Sequence, residues 1–311
     1  MLKQVIEAME LLDSATVSGN DVATLLRMRG LEDVTVKTLL GEKGKTDFIR
    51  VKVPGSRGKI AKGDAPTLGV LGRLGGVGAR PEMIGLVSDA DGAITAVATA
   101  LKLADMRSKG DVLPGDVVIG THICPNAPTI PHKPVPFMGS PVTFADIADE
   151  EVTPDMDAIL SVDTTKGNRI AKWRGFAITP TVKEGWILKV SDDLLTIMEI
   201  VTGRTARVCS ITTQDITPYG NGIDHINSIM QPCTTTDKPV VGVAITTEST
   251  VPGCATGASH PEDIEETTRF CVEVAKAYGG GLCKFYNEHE WHIIEKRYGA
   301  LKLLQSQGHQ S

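Results

Sequence analysis

The chain has 311 residues, with 32 Lys+Arg against 38 Asp+Glu, a formal net charge of −6 and a pI near 5.7. Hydrophobic residues make up 41% and charged residues 23%, an ordinary globular balance that excludes disorder, collagen and coiled coil. No apolar run approaches the roughly 18 residues a membrane span needs, and the acidic balance argues against a nucleic-acid partner, which needs a basic footprint.

Residues 1–13 read as a helix, with Val5, Ile6, Met9 and Leu12 on one stripe. This stretch carries Glu7, Glu10 and Asp13 and lacks both an uninterrupted apolar core and a cleavage site, so no signal peptide is expected. A second helix starts at the cap Ser18 and runs toward Gly30. Val34–Leu40 and Phe48–Val53 alternate like paired strands, and PGSRGKIAKGDA after them is a polar, turn-rich loop. Thr67–Leu71 and Met83–Val87 read as short apolar strands flanking GRLGGVGARP. That glycine-rich stretch lacks GxxxxGK[ST] and leads into a strand rather than a helix, which argues against a phosphate loop. A helix follows over about 93–107, and LPGDVVIGTHI and DMDAILSVD each hold a buried strand. Residues 125–141 contain six prolines in seventeen residues, so this segment is a stiff extended loop and not a helix. DDLLTIMEIVTG (192–203) reads as a helix, and ARVCSIT and PVVGVAIT as two more strands. The helix after His260 opens with Pro-Glu-Asp, which suits the positive end of a helix, and a last helix covers about 288–304.

Strands that alternate with helices, several of them continuous apolar runs, make this an α/β chain with a mainly parallel or mixed sheet. It lacks a fixed-period repeat and reads as one domain over 1–311. The six cysteines are scattered without a CxxC pair, so reduced thiols and a cytoplasmic setting are expected.

Polar residues collect at the ends of the apolar strands. Asp89 and Asp91 (SDADG) follow MIGLV, His122 and Cys124 (THICPN) follow VVIG, and Asp163 (SVDTTKGN) ends AILSV. Asp224 and His225 (NGIDH) lie after ARVCSIT, and His260 (GASHPED) lies after PVVGVAIT. On parallel strands these ends converge on one sheet edge, where carboxylates and imidazoles can hold one or two divalent metals. Each group also has a plainer role open to it. Asp89 and Asp91 can cap a helix, His122 and Cys124 can be a packed pair, Asp163 can form a turn, and His260 can seat a helix start.

These segments resemble, in order, the co-catalytic zinc aminopeptidases. LLDSATVSGNDVATLLR is similar to their opening helix and Ser-Gly turn, and SDADGAITAVATALKLA to the segment whose bridging aspartate would here be Asp89. LPGDVVIGTHICPNAP resembles the strand that ends in their paired glutamates, and AILSVDTT the strand that ends in a ligand aspartate, here Asp163. TTQDITPYGNGIDH resembles their Gln…Gly-Thr-Asp segment, and the last histidine ligand would be His260. More closely, the whole chain looks like a family of about 300 residues filed as domain of unknown function 1177. The resemblance implies a three-layer α/β/α fold of the zinc-exopeptidase (phosphorylase/hydrolase-like) type, with a mixed, mostly parallel central sheet of about eight strands and helices on both faces. It also makes a homo-oligomer an expectation.

The departures bear on chemistry. The His-x-Asp of the aminopeptidases falls on Arg73 and Gly75, and their paired glutamates fall on Pro125 and Asn126. Proline cannot act as a base. Only 13 residues separate Gly75 from Asp89, which leaves no room for a large inserted domain. The first expectation is therefore a metal-dependent hydrolase of a small amide, short peptide or cyclic amide with a rebuilt site. A divalent metal, zinc by resemblance, would sit among Asp89, His122, Cys124, Asp163 and His260. The base would come from Asp91, Asp224 or His225, Arg73 would bind a substrate carboxylate, and Asn126 would donate to an oxyanion. The second expectation is a non-catalytic small-molecule-binding or assembly protein on a degenerate peptidase fold, signalled by a metal-free polar site around Arg73. A third is a thiol enzyme using Cys124 with His122 or His225.

Overall fold

The computed structural model describes residues 1–14, 16–42, 44–73, 86–125, 127–131, 133–223, 225 and 228–309. In chain order the elements are α1 (Leu2–Leu12), α2 (Gly19–Met28), β1 (Val34–Gly41), β2 (Gly44–Val53), β3 (Leu68–Gly72), α3 (Asp91–Arg107) and β4 (Val117–Ile123). A small pair, β5 (Thr129–Ile130) and β6 (Phe137–Met138), precedes α4 (Phe144–Glu151), β7 (Ala158–Thr164) and β8 (Gly175–Ile178). Then come β9 (Val182–Lys183), β10 (Trp186–Ile187), α5 (Asp192–Thr202), β11 (Val240–Thr246), α6 (Pro261–Gly279) and α7 (Glu288–Tyr298).

The local chemistry explains the boundaries. Ser18 and Asp21 form a reciprocal capping box at the start of α2, and Thr143 and Asp146 form another at α4. Gly203 ends α5 in the left-handed conformation. The last helix stops at Tyr298, earlier than its periodicity suggests, because Gly299 turns the chain before a short 3-10 segment at Lys302–Gln305.

The main sheet runs β1-β2-β4-β3-β7-β11-β9-β10, with β8 also paired to β11. Its centre is parallel: β4 to β3, β3 to β7 and β7 to β11. Antiparallel strands flank it on both sides. Every residue of β3, β4 and β11 is buried, as expected for parallel strands covered on both faces. On one face lie α1, α2, α3, α5 and α6 over Val70, Ile119, Leu160, Val162 and Val243. On the other face Leu71, Val118, Ile159 and Ala244 pack against Ile216, Ile229 and Met230, which lie in short 3-10 segments, with α4 beside them. The helical layers are therefore unequal.

Three expectations need correction or completion. ARVCSIT is not a strand: it makes one isolated bridge, Val208 to Ile178. The place beside β11 is taken by β8, so this segment follows only the outer edge of β8. Of the strand expected at Met83–Val87, residues 83–85 lie outside the described residues, and Val87 bridges Thr256. The helix α4 and the short strands β8, β9 and β10 were not anticipated, because each is too brief to show a period.

Topology selects the site. From β3 the chain passes through α3 to β4 on one side, and from β7 it passes to β11 on the other. The carboxyl ends of β3 and β7 thus flank a reversal of winding direction, where open α/β sheets form a crevice. Arg73 directly follows β3 and its N–H donates to the Val162 carbonyl, 2.8 Å, which prolongs the ladder into that crevice.

Candidate functional site

Four carboxylates and two cations are buried at this end of the sheet. Arg73, Asp89, Asp91, Glu151, Asp163 and Lys166 are each at most 6% exposed. Each arrives on a different device. Asp91 opens α3, whose N-terminus reaches the strand ends because Gly72 and Gly92 leave no side chain between them: a Cβ at Gly72 would lie 2.2 Å from the Gly92 carbonyl oxygen. Asp163 is the last residue but one of β7, Lys166 follows it by three residues, and Glu151 ends α4. Asp89 sits in the 3-10 turn before α3, tied to a returning loop by its N–H to the Gly253 carbonyl, 3.1 Å, while Ser88 N–H donates to Ala255 O, 2.9 Å.

The charges pair in a definite way. The Lys166 ammonium donates to Asp91 Oδ2 and to the Ala258 carbonyl, 2.7 Å. Arg73 Nη1 donates to Glu151 Oε2 at 2.9 Å. Asp89 Oδ2 accepts the Met138 N–H at 3.2 Å, and Asp163 Oδ1 accepts the Thr164 N–H at 2.7 Å. Burial pushes the Asp89 carboxyl up to about 7, reinforced by the neighbouring Asp163 charge and opposed by the Met138 N–H. Burial also raises Glu151 to about 7, against the pull of Arg73. Asp91 is raised by burial and drawn back by Lys166.

Among the described residues, several buried polar atoms here have no hydrogen-bond partner: Arg73 Nε, Ser88 Oγ, His122 Nε2, Glu151 Oε1 and Ser161 Oγ. By strand alternation Arg73, His122 and Ser161 share the α4 face of the sheet. Such groups are normally satisfied, so a cluster of them marks a place for water or a polar ligand.

The other predicted positions lie around this cluster. His122 Nδ1 meets Thr46 Oγ1 at 2.9 Å and its ring stacks on Phe48 at 5.1 Å. Burial, helped by Arg73, pushes its pKa down to about 3, so the imidazole is neutral. Cys124 packs with Val87, Ala127 and Met138, and its thiol donates to the Lys45 carbonyl at 3.5 Å. His260 is the half-exposed residue before α6, with Nδ1 3.5 Å from Asp263 Oδ2. His225 donates from Nε2 to the Thr217 carbonyl, 2.9 Å, beside the Tyr219 ring. Asn126, Asp224 and Gly75 lie outside the described residues. Among the described residues no three His, Cys, Asp or Glu side chains form a group able to hold a metal ion. The structure instead unites Asp89, Asp91 and Asp163 with Lys166 and Glu151, two residues that sequence reasoning passed over. Lys166 had one signal, its place three residues beyond a strand-ending aspartate; Glu151 had none, because its helix was not foreseen.

The fold is similar to that of solved structures. Over 89% of this chain and 71% of the other, it superposes on the bottromycin maturation enzyme BotP, solved in complex with Mn, with a TM-score of 0.51 and 14% identity. LapA aminopeptidase of Legionella pneumophila aligns over 91% of this chain and 71% of its own, with a TM-score of 0.49 and 11% identity. The fold is of the zinc-exopeptidase type, a mixed sheet with a parallel centre flanked by helices. No curated protein matches the sequence. A family model does: over residues 37–308 the chain belongs to the family described as protein of unknown function, DUF1177.

Proposed function

We propose that this chain binds a small polar molecule, of the size of an amide or short peptide, in the crevice beyond β3 and β7, and does not use the two-metal chemistry of the aminopeptidases. The observation that carries this is the pairing of buried charges: the Lys166 ammonium sits on Asp91 and the Arg73 guanidinium on Glu151. This pairing speaks against a metal here. The described side chains offer no three-donor group, one carboxylate is taken by an internal ammonium, and His260 leans on Asp263 at the surface. The donor and acceptor left without a partner among the described residues, Arg73 Nε and Glu151 Oε1, suit a ligand that carries both kinds of group. Arg73, buried against Glu151, would contribute through its remaining N–H rather than as a free carboxylate clamp.

One observation favours the metal-dependent hydrolase instead. Asp89, Asp91, Glu151 and Asp163 outnumber Arg73 and Lys166, and a divalent cation would balance that excess as protonation of Asp89 and Glu151 does. Elemental mass spectrometry of tag-free protein separates the two readings, on the wild type and on Asp89→Ala with His260→Ala. A binding protein carries only substoichiometric metal, indifferent to the substitutions. It gains thermal stability from members of an amide and dipeptide library, and Lys166→Met abolishes that gain. About one or two ions per chain, lost in the variant, would overturn the proposal in favour of the hydrolase.

A further inference from the structure

A cavity lies at the other end of the sheet. It has a volume of about 650 Å³ and is formed by β10, the segment leading into α5, and the first half of α7. β9 meets β11 at Val240, the start of that strand, so the cavity and the charged crevice are at opposite ends of β11. Its volume falls in the roughly 300–1,000 Å³ range of small-molecule sites.

Its lining is aromatic and acidic. The chain has three tryptophans, and two of them, Trp186 and Trp291, line this cavity together with Tyr286. The rings are held rigidly. Trp186 Nε1 donates to the Gly299 carbonyl at 2.8 Å, and Tyr286 meets Trp291 edge-on at 6.4 Å. The rings already hold one cation: Lys183 Nζ lies 4.7 Å from the Trp291 ring centroid and 6.0 Å from that of Tyr286, with its charge balanced by Glu184 at 2.6 Å. The rim carries Asp192, Asp193, Glu288 and Glu290 against Lys189 and Lys284, with His289 beside them. Lys189–Asp192 at 3.3 Å and Lys284–Glu288 at 3.4 Å are exposed, and Glu290 has no ion-pair partner among the described residues. Pairs of that kind contribute little and yield easily to a competing cation. An anion is poorly matched, although α5 and α7 both begin here. Ser191 already takes the Leu194 amide, and Asn287 those of His289 and Glu290, while the acidic rim repels an anion.

We propose that this cavity is a second binding site, for an organic cation, an amine or guanidinium on an aromatic or aliphatic body. The rings take the apolar part and the carboxylates take the charge. The inference stands independently of the crevice beyond β3 and β7.

The probe pair is phenethylammonium and its neutral isostere 2-phenylethanol, titrated at low salt by calorimetry and by tryptophan fluorescence. The ammonium is expected to bind saturably, the alcohol about ten-fold more weakly, and Glu290→Gln with Asp192→Asn to erase about that difference. Both substituted residues are exposed, so the variant folds and reads the charge alone. Trp291→Phe should weaken the binding of both probes. Equal affinity for ammonium and alcohol, competition by inorganic phosphate, or no saturable binding of either probe would overturn the proposal.

Discussion

The two ends of β11 solve opposite problems. At its carboxyl end, charged groups are taken out of water almost completely and compensate one another: Lys166 on Asp91, Arg73 on Glu151, both pairs at most 1% exposed. At its amino end the charges stay in water on the rim, and the buried surface is aromatic. A buried pair is stabilising only while both partners remain, since losing one leaves an uncompensated charge in a poor solvent. A rim pair is screened and nearly dispensable. The difference teaches that a substitution's effect here depends on which end it strikes more than on the residue type.

The largest effect is expected from Arg73→Met, which strands Glu151 in the interior. Urea denaturation at pH 8, where Glu151 is ionised, should show a loss of about 3–5 kcal/mol, and Arg73→Met with Glu151→Leu should regain most of it. If the double variant is as unstable as the single one, Arg73 acts by packing alone. Next comes Gly253→Ala. A Cβ there would lie 2.4 Å from Asp89 Oδ2, so either the loop or the carboxylate must move. We expect about 1–3 kcal/mol of destabilisation, together with loss of ligand-dependent stabilisation at the crevice.

A smaller and more diagnostic effect is that of pH. Asp89 and Glu151, both raised to about 7, hold protons in the folded chain that the unfolded chain has released. Between the ordinary carboxylate range and pH 7 the folded state therefore binds more protons, and stability falls as pH rises, by up to about 1.4 kcal/mol per pH unit for each group. His122, pushed down to about 3, works in the opposite sense below pH 6.5. Glu151→Gln should flatten the decline, so that its stability relative to wild type climbs from pH 4.5 to pH 7. A variant curve parallel to the wild type would show that Glu151 keeps an ordinary pKa. The smallest effect belongs to the rim: Lys189→Ala should change stability by less than about 1 kcal/mol, and less still in high salt.

Much of the fold was legible because its signals are local. The stripe of α1, the Ser18 cap, the unbroken apolar runs of β3, β4 and β11, and Pro261 at the start of α6 each act within a few residues. Where the signal was short, the reading failed. ARVCSIT has strand-like residues, yet β8 occupies the neighbouring place on β11. The candidate site was half legible in the same way. Strand-end aspartates Asp89, Asp91 and Asp163 stood out, because polar residues after an apolar run mark the carboxyl edge of a sheet. Their partners did not. Lys166 and Glu151 look like any surface lysine and glutamate until folding removes the water around them.

The sequence by itself determined the α/β class, the membership of the chain in its family, and the sheet edge at which polar groups gather. Periodicity, capping and apolar runs are properties of neighbours along the chain, and they survive without coordinates. Only the tertiary structure decided which charge meets which. Arg73 and Glu151 are 78 residues apart, and Lys166 and Asp91 are 75 apart. Whether a carboxylate faces a metal, a proton or an ammonium depends on what the sheet's winding carries to the same few ångströms, and that is set by long-range packing rather than by any local pattern.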